Sequence, residues 1–185
     1  MLHPNTLELT TSTLAIIDMQ EAFRGNILDF AVTAARIGRM VEAAKLLNVP
    51  IVVTEQYPRG LGHTAAEITK ALPDSIAVIE KTAFSSCGVS EFAAQLRTHQ
   101  ARQVIVCGIE AHICVNQTVH DLLALGFQPH LLTDCITARD PLNKTIALAK
   151  MQLSGAIPSS LEMALFELMR DARHEQFKAI QALVK

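Results

Sequence analysis

VIVCGIEAHICVNQTVHDLLALGF, residues 104–127, decides the fold class of this chain. Val104 to Cys107 is an unbroken apolar run, the pattern of a strand buried on both faces of a parallel sheet. Gly108 interrupts it. Ile113, Val115, Val119, Leu122, Leu123 and Leu125 then recur on one face of a helix that stops at Gly126. Cys114 falls in the first turn of that helix, just beyond the strand's carboxyl end, where open parallel sheets bind ligands. Free N–H groups and the helix dipole favour a thiolate there, which makes Cys114 a candidate nucleophile. The same position also suits a core cysteine wedged between Ile113 and Val115.

The strand-then-helix pattern repeats on both sides of this segment. Apolar runs predict strands at 13–19, 51–54, 76–79 and 130–133, with a short sixth at 156–157. Helical spacing predicts helices at 30–49, about 65–71, 90–98 with Ser90 as its cap, 140–153 with Pro141 in the first position, 159–170 and 174–184. Such βαβ units connect right-handedly and build a three-layer α/β/α sandwich around a mainly parallel six-stranded sheet. At 185 residues, with no linker or repeat, one domain over 1–185 is expected.

Composition excludes several classes of partner. Half of the chain is hydrophobic, 18% is charged, and the net charge is −2 with no basic block, so neither nucleic acid nor an anionic membrane surface is an expected partner. MLHPNTLELT lacks the regions of a signal peptide, and no apolar run is long enough to span a bilayer. Cys87, Cys107, Cys114 and Cys135 show no CxxC spacing and are expected to be reduced thiols, in a cytoplasmic setting. The apolar excess predicts a homo-oligomer, a dimer or tetramer.

Three strand ends carry the chemistry. Asp18 ends the first strand, Lys81 follows the third, and Cys114 follows the fourth; all lie on the edge where parallel strands present their carboxyl ends. Asp18 can take the thiol proton and later return it to a leaving group. Lys81 would lower the thiol pKa and hold the carboxylate in place. Cys114 would attack a carbonyl, with helix-start N–H groups binding the oxyanion. Singly, Asp18 could cap a loop and Lys81 could be solvated. Their combination favours function.

The sequence also resembles the isochorismatase-like cysteine hydrolases, which include nicotinamidases and N-carbamoylsarcosine amidases. The likeness runs through LAIIDMQEAF (14–23), VTEQYPRGLGHT (53–64), EKTAFS (80–85), CGIEAHICVNQT (107–118) and TDCITAR (133–139). It is strongest to the branch of isochorismatase domain-containing proteins, through TEQYP, GIEAH and QFK (176–178). The resemblance implies a Rossmann-like, isochorismatase-like hydrolase fold and a triad of Asp18, Lys81 and Cys114. It also implies a cis peptide bond at Ile109–Glu110 and an oxyanion hole made by the backbone N–H groups of Glu110 and Cys114.

Departures from the family pattern bear on the substrate. Where nicotinamidases carry metal ligands this chain has Glu55, Gln56 and Tyr57, and His63 lacks a partner at ligand spacing, so neither metal nor cofactor is expected. Cys114 argues against isochorismatase chemistry, which in this family proceeds without a nucleophilic cysteine. What remains is a cysteine hydrolase of a small-molecule amide or related carbonyl compound; the alternative is a weak or inactive relative serving as a binding protein. A nucleotide-binding reading ranks last, because the first strand is not followed by GxGxxG. Candidate pocket walls are Gln20, Phe23, Tyr57, Leu61, Phe84, His112 and Ile113. Tyr57 either contacts the ligand or packs its own loop. Glu110 either selects a cationic or amide-bearing substrate or faces solvent or a neighbouring subunit.

Overall fold

In the computed structural model, which describes residues 3–185, β1 (Ser12–Ile17), β2 (Ile51–Gln56), β3 (Val78–Lys81), β4 (Gln103–Gly108), β5 (Gln128–Ile136) and β6 (Ile157–Ser159) pair in parallel as one sheet. The order is β3-β2-β1-β4-β5-β6. From β1 the chain steps outward to β3, then crosses back to lay β4 on the other side of β1. That reversal opens a crevice at the carboxyl ends of β1 and β4.

Alternation along each strand sorts the core into two layers. Leu14 and Ile16 of β1, with Ile105 and Cys107 of β4, pack beneath α1 (Phe30–Leu46) and Ile68 of the short α3 (Ala66–Thr69), which follows α2 (Pro58–Leu61). Ala15 and Ile17, with Val104 and Val106, face the opposite layer: α4 (Ser90–Thr98), α5 (Asn116–Ala124) and α6 (Pro141–Leu153). The last two helices, α7 (Leu161–Met169) and α8 (Phe177–Val184), return to the α1 side through Leu165 and Ile180. Burial on both faces explains why β1 and β4 read as continuous apolar runs.

Several boundaries differ from those the sequence predicts. β1 stops at Ile17 rather than Met19, because Asp18 takes φ +48 and leaves the strand. β3 covers 78–81 rather than 76–79, and its alternation of exposed and buried residues is that of an edge strand. Val89, not Ser90, occupies the cap of α4, and α8 starts at Phe177 rather than His174. Asp140 does cap α6, its carboxylate accepting the N–H of Leu142, with Pro141 in the first turn. Among the described residues no helix is long and apolar enough to cross a membrane.

Gly108 fixes the approach of the two central strands. Its φ is +118, and a Cβ built there would lie 2.0 Å from the carbonyl oxygen of Ile17. Only glycine lets β4 pass β1 at this distance and turn into the segment that carries Cys114.

Candidate active site

Asp18 sits where β1 gives way to a loop, in the left-handed region that Asp tolerates better than most residues. Its N–H bonds to the Thr54 carbonyl, and the Thr54 hydroxyl donates to its Oδ1 at 2.7 Å. Lys81, the last residue of β3, reaches across the end of β2 to place Nζ 2.6 Å from Asp18 Oδ2. Its ammonium donates to Gln56 Oε1 at 2.8 Å and to the carbonyls of Ala83 and Phe84 at 3.0 and 2.9 Å. Three donors are thereby used, and Asp18 Oδ2 accepts no aligned hydrogen bond among the described residues.

Cys114 lies in a widened, π-helical turn over Ala111–Val115 that runs into α5; Val115 N–H bonds back to the Glu110 carbonyl at 3.3 Å. Such turns recur at functional sites. The thiol is buried and interacts with the Asp18 carboxylate. Burial pushes it up to about 12; the Asp18 charge adds to this, and the Lys81 ammonium only partly opposes it. The sequence leads one to expect a thiolate favoured by Lys81 and the helix start. Desolvation and the neighbouring carboxylate outweigh the pull of Lys81 and raise the thiol above its ordinary range. Burial also raises the Asp18 carboxyl above its ordinary range, against the pull of Lys81, Thr54 and Cys114. A carboxylate so displaced is suited to accept a proton.

Ile109–Glu110 is a cis peptide bond. Glu110 lines the Cys114 cavity, with its side chain turned from solvent. Its carboxylate is 5% exposed and accepts the Arg139 backbone N–H at 3.0 Å and Arg139 Nε at 3.0 and 3.1 Å. Thus TDCITAR, after β5, supplies the partner of GIEAH, after β4.

Asp18 and Cys114 line one cavity of about 230 Å³. Phe23, Leu61, Phe84 and Ile113, four of the seven expected wall residues, line it with them. The other three do not. Gln20 is fully buried and clamps the loop, its amide donating to the carbonyls of Gln56 and Gly62 at 3.0 and 2.6 Å and accepting the Gln56 N–H at 2.8 Å. Tyr57 turns its ring over Gly60 and lines a separate, larger cavity of about 490 Å³ beside Arg59 and Glu80. His112 does not line this cavity, and its Nδ1 is buried and unpartnered among the described residues. Sequence reasoning missed Gln56, Ile109 and Arg139 as walls and Thr54 as the Asp18 partner. All four fall within or beside the quoted motifs, and side-chain direction decided which members of each motif face inward.

The site where nicotinamidases hold metal is differently filled. Glu55 Oε1 accepts the Thr64 N–H and hydroxyl at 2.6 and 2.7 Å, and Oε2 faces His63 Nδ1 at 3.0 Å. Among the described residues no group of three or more His, Cys, Asp or Glu side chains has the arrangement to hold a metal ion. These residues do not fit a family-type metal centre.

Comparison with known proteins agrees with this architecture. Residues 12–163 match the isochorismatase domain family. A secreted isochorismatase effector of Phytophthora sojae is 41% identical over 179 residues, covering 95% of this chain and 85% of that protein. Human isochorismatase domain-containing protein 2 is 41% identical over 175 residues, covering 95% and 83%. A solved structure described as MAR1 ribonuclease from Caenorhabditis elegans superposes with a TM-score of 0.92 at 35% identity, over 97% of this chain and 92% of that one. Sheet order, motifs and these likenesses agree: the chain belongs to the isochorismatase family.

Proposed function

We propose that this protein is a cysteine hydrolase that cleaves a small amide or related carbonyl compound through a thioester on Cys114, without a metal. The observation that supports this reading is the meeting of Cys114 with Asp18, itself paired with Lys81, at a small, mostly apolar cavity. At about 230 Å³ the cavity lies below the ~300–1,000 Å³ of sites for drug-sized ligands, which points to a small substrate.

The chemistry begins from the thiol. As Sγ attacks the carbonyl carbon, Asp18 Oδ2 takes the S–H proton, so no free thiolate accumulates. The oxyanion is received by backbone N–H groups, those of Glu110 and Cys114 by family resemblance. Collapse of the tetrahedral species breaks the C–N bond, and Asp18 passes its proton to the departing nitrogen, leaving an acyl thioester. Water then attacks the thioester carbonyl while giving a proton to Asp18. Collapse of this second tetrahedral species breaks the C–S bond, the acid product leaves, and Asp18 returns its proton to sulfur. Lys81 keeps Asp18 oriented.

The test is intact-mass measurement with a panel of small amides. An acyl adduct that forms on the wild type and is lost in Cys114→Ala, together with turnover, is the expected result; an active Cys114→Ala protein overturns it. One observation favours a second reading, a binding protein with little turnover: Cys114 is buried beside the Asp18 carboxylate, and both raise the thiol. Amide binding without adduct or turnover would select it. We further propose homo-oligomerisation through exposed Leu28, Val32, Leu142 and Ile146, which sedimentation velocity checks. Four free cysteines fit a reducing, cytoplasmic setting, which cell fractionation checks.

A further inference from the structure

The stretch that follows β3, EKTAFSSCG (80–88), does more than supply Lys81. It folds back tightly: Ser85 Oγ accepts the Cys87 N–H at 3.2 Å, and a Cβ built on Gly88 would lie 2.7 Å from that of Ala83. The turn buries Ser86 fully, outside the lining of the catalytic cavity, with an N–H and a hydroxyl that both need partners. The N–H donates to Thr118 Oγ1 at 2.9 Å. Thr118 is itself fully buried in α5, four residues beyond Cys114. The hydroxyl lies 3.3 Å from Thr54 Oγ1. A hydroxyl has one proton, and Thr54 gives its own to Asp18 Oδ1 at 2.7 Å. Ser86 is therefore the donor to Thr54. One short segment thus reaches both oxygens of the carboxylate: Oδ2 through Lys81 at 2.6 Å, and Oδ1 through Ser86 and Thr54. Ser86 also fastens that segment to the helix that continues from the Cys114 turn.

We propose that Ser86 is a positioning residue, which sets the Asp18 carboxylate against Cys114 by donating to Thr54 on one side and to Thr118 on the other. The inference deepens the reading of Asp18 as proton acceptor and Cys114 as nucleophile, and rests on it. Bonds in a chain of hydroxyls polarise one another, so removing the Ser86 donor weakens the bond that Thr54 makes to Asp18. The ionised carboxylate then loses support, and Asp18 is protonated more readily. At 3.3 Å the Ser86 link is the longer of the two, so its effect is the smaller.

Carbon-13 NMR titration of the Asp18 carboxyl in the full-length protein tests this without turnover; the signal is identified by its loss in Asp18→Asn. Ser86→Ala should raise the midpoint by about 0.3 pH units, and Thr54→Val by more. In a Thr54→Val background Ser86→Ala should add nothing, because the route to the carboxylate is already cut. A residue that only fills space would give the same shift in both backgrounds. Thr118→Val should also raise the midpoint, whereas Thr118→Ser, which keeps the accepting oxygen, should not. That pair reads the path from its other end if Ser86→Ala folds poorly. On an amide that the wild type cleaves, Ser86→Ala should lower kcat about three- to tenfold and leave KM unchanged. An unmoved midpoint, equal shifts in the two backgrounds, or a loss confined to KM overturns the inference. Coupled shifts in a protein that cleaves no amide would leave the path to Asp18 standing and sink the catalytic reading. Amide turnover with uncoupled shifts would sink the inference alone.

Discussion

At the scale of single residues, Cys114 and Asp18 set each other's ionisation. The carboxylate raises the thiol, the thiol lowers the carboxyl, and burial raises both. Asp18→Asn removes the like charge while Lys81 remains, so the midpoint of thiol alkylation against pH should move down. Turnover should nevertheless fall about 10²- to 10⁴-fold, since the proton acceptor is gone. Opposite movement of these two readouts separates a base from a residue that only tunes the thiol. Thr54 gives a finer test. Its hydroxyl stabilises the ionised carboxylate, so Thr54→Val should raise the Asp18 pKa, and the acid limb of kcat/KM should move to higher pH. An unmoved limb would mean that another group sets it.

At the scale of elements, the site depends on how closely two strands pass and how firmly one loop is tied. Gly108→Ala would drive a Cβ into the Ile17 carbonyl at a positive φ, and should cost about 3 kcal/mol or more in urea unfolding. Gln20 is the loop's clamp, with three hydrogen bonds to the chain between β2 and α3. Gln20→Ala should destabilise by about 2 kcal/mol, and amide exchange should quicken first over residues 56–62. If exchange there is unchanged, the clamp is not what holds the loop. The sequence marked Gln20 as a wall because it lies on a loop at a strand end. The pairing that buries it, with Gln56 and Gly62 on another loop, is a long-range fact.

At the scale of the whole molecule, acid stability should report a buried histidine far from the site. His130, in β5, is fully buried and depressed by desolvation to about 4 from an ordinary 6.5. Between these values the unfolded chain binds a proton that the folded chain does not. Stability from this group is therefore intact above pH 6.5 and lost as pH falls toward 4, by up to about 3 kcal/mol. His130→Gln should remove that share of the fall in urea midpoint between neutral and acid pH; an unchanged fall would assign acid lability to other groups.

What the sequence determined by itself was the alternation of elements, the two-faced burial of β1 and β4, and the placing of Asp18, Lys81 and Cys114 on one edge of the sheet. Those features rest on hydrophobic periodicity and on the direction of parallel strands, both readable locally. The tertiary structure alone decided the rest. It paired Glu110 with Arg139, 29 residues away, so that an ion pair rather than a lone carboxylate lies at the cavity. It turned Tyr57 toward Gly60 and buried Gln20 as a clamp. It also raised the Cys114 thiol through burial and the Asp18 charge, against the pull of Lys81. Each depends on side-chain direction or on the sum of desolvation and charge at one point in space. Those sums contain terms from strands and loops far apart in the chain, and local sequence does not carry them.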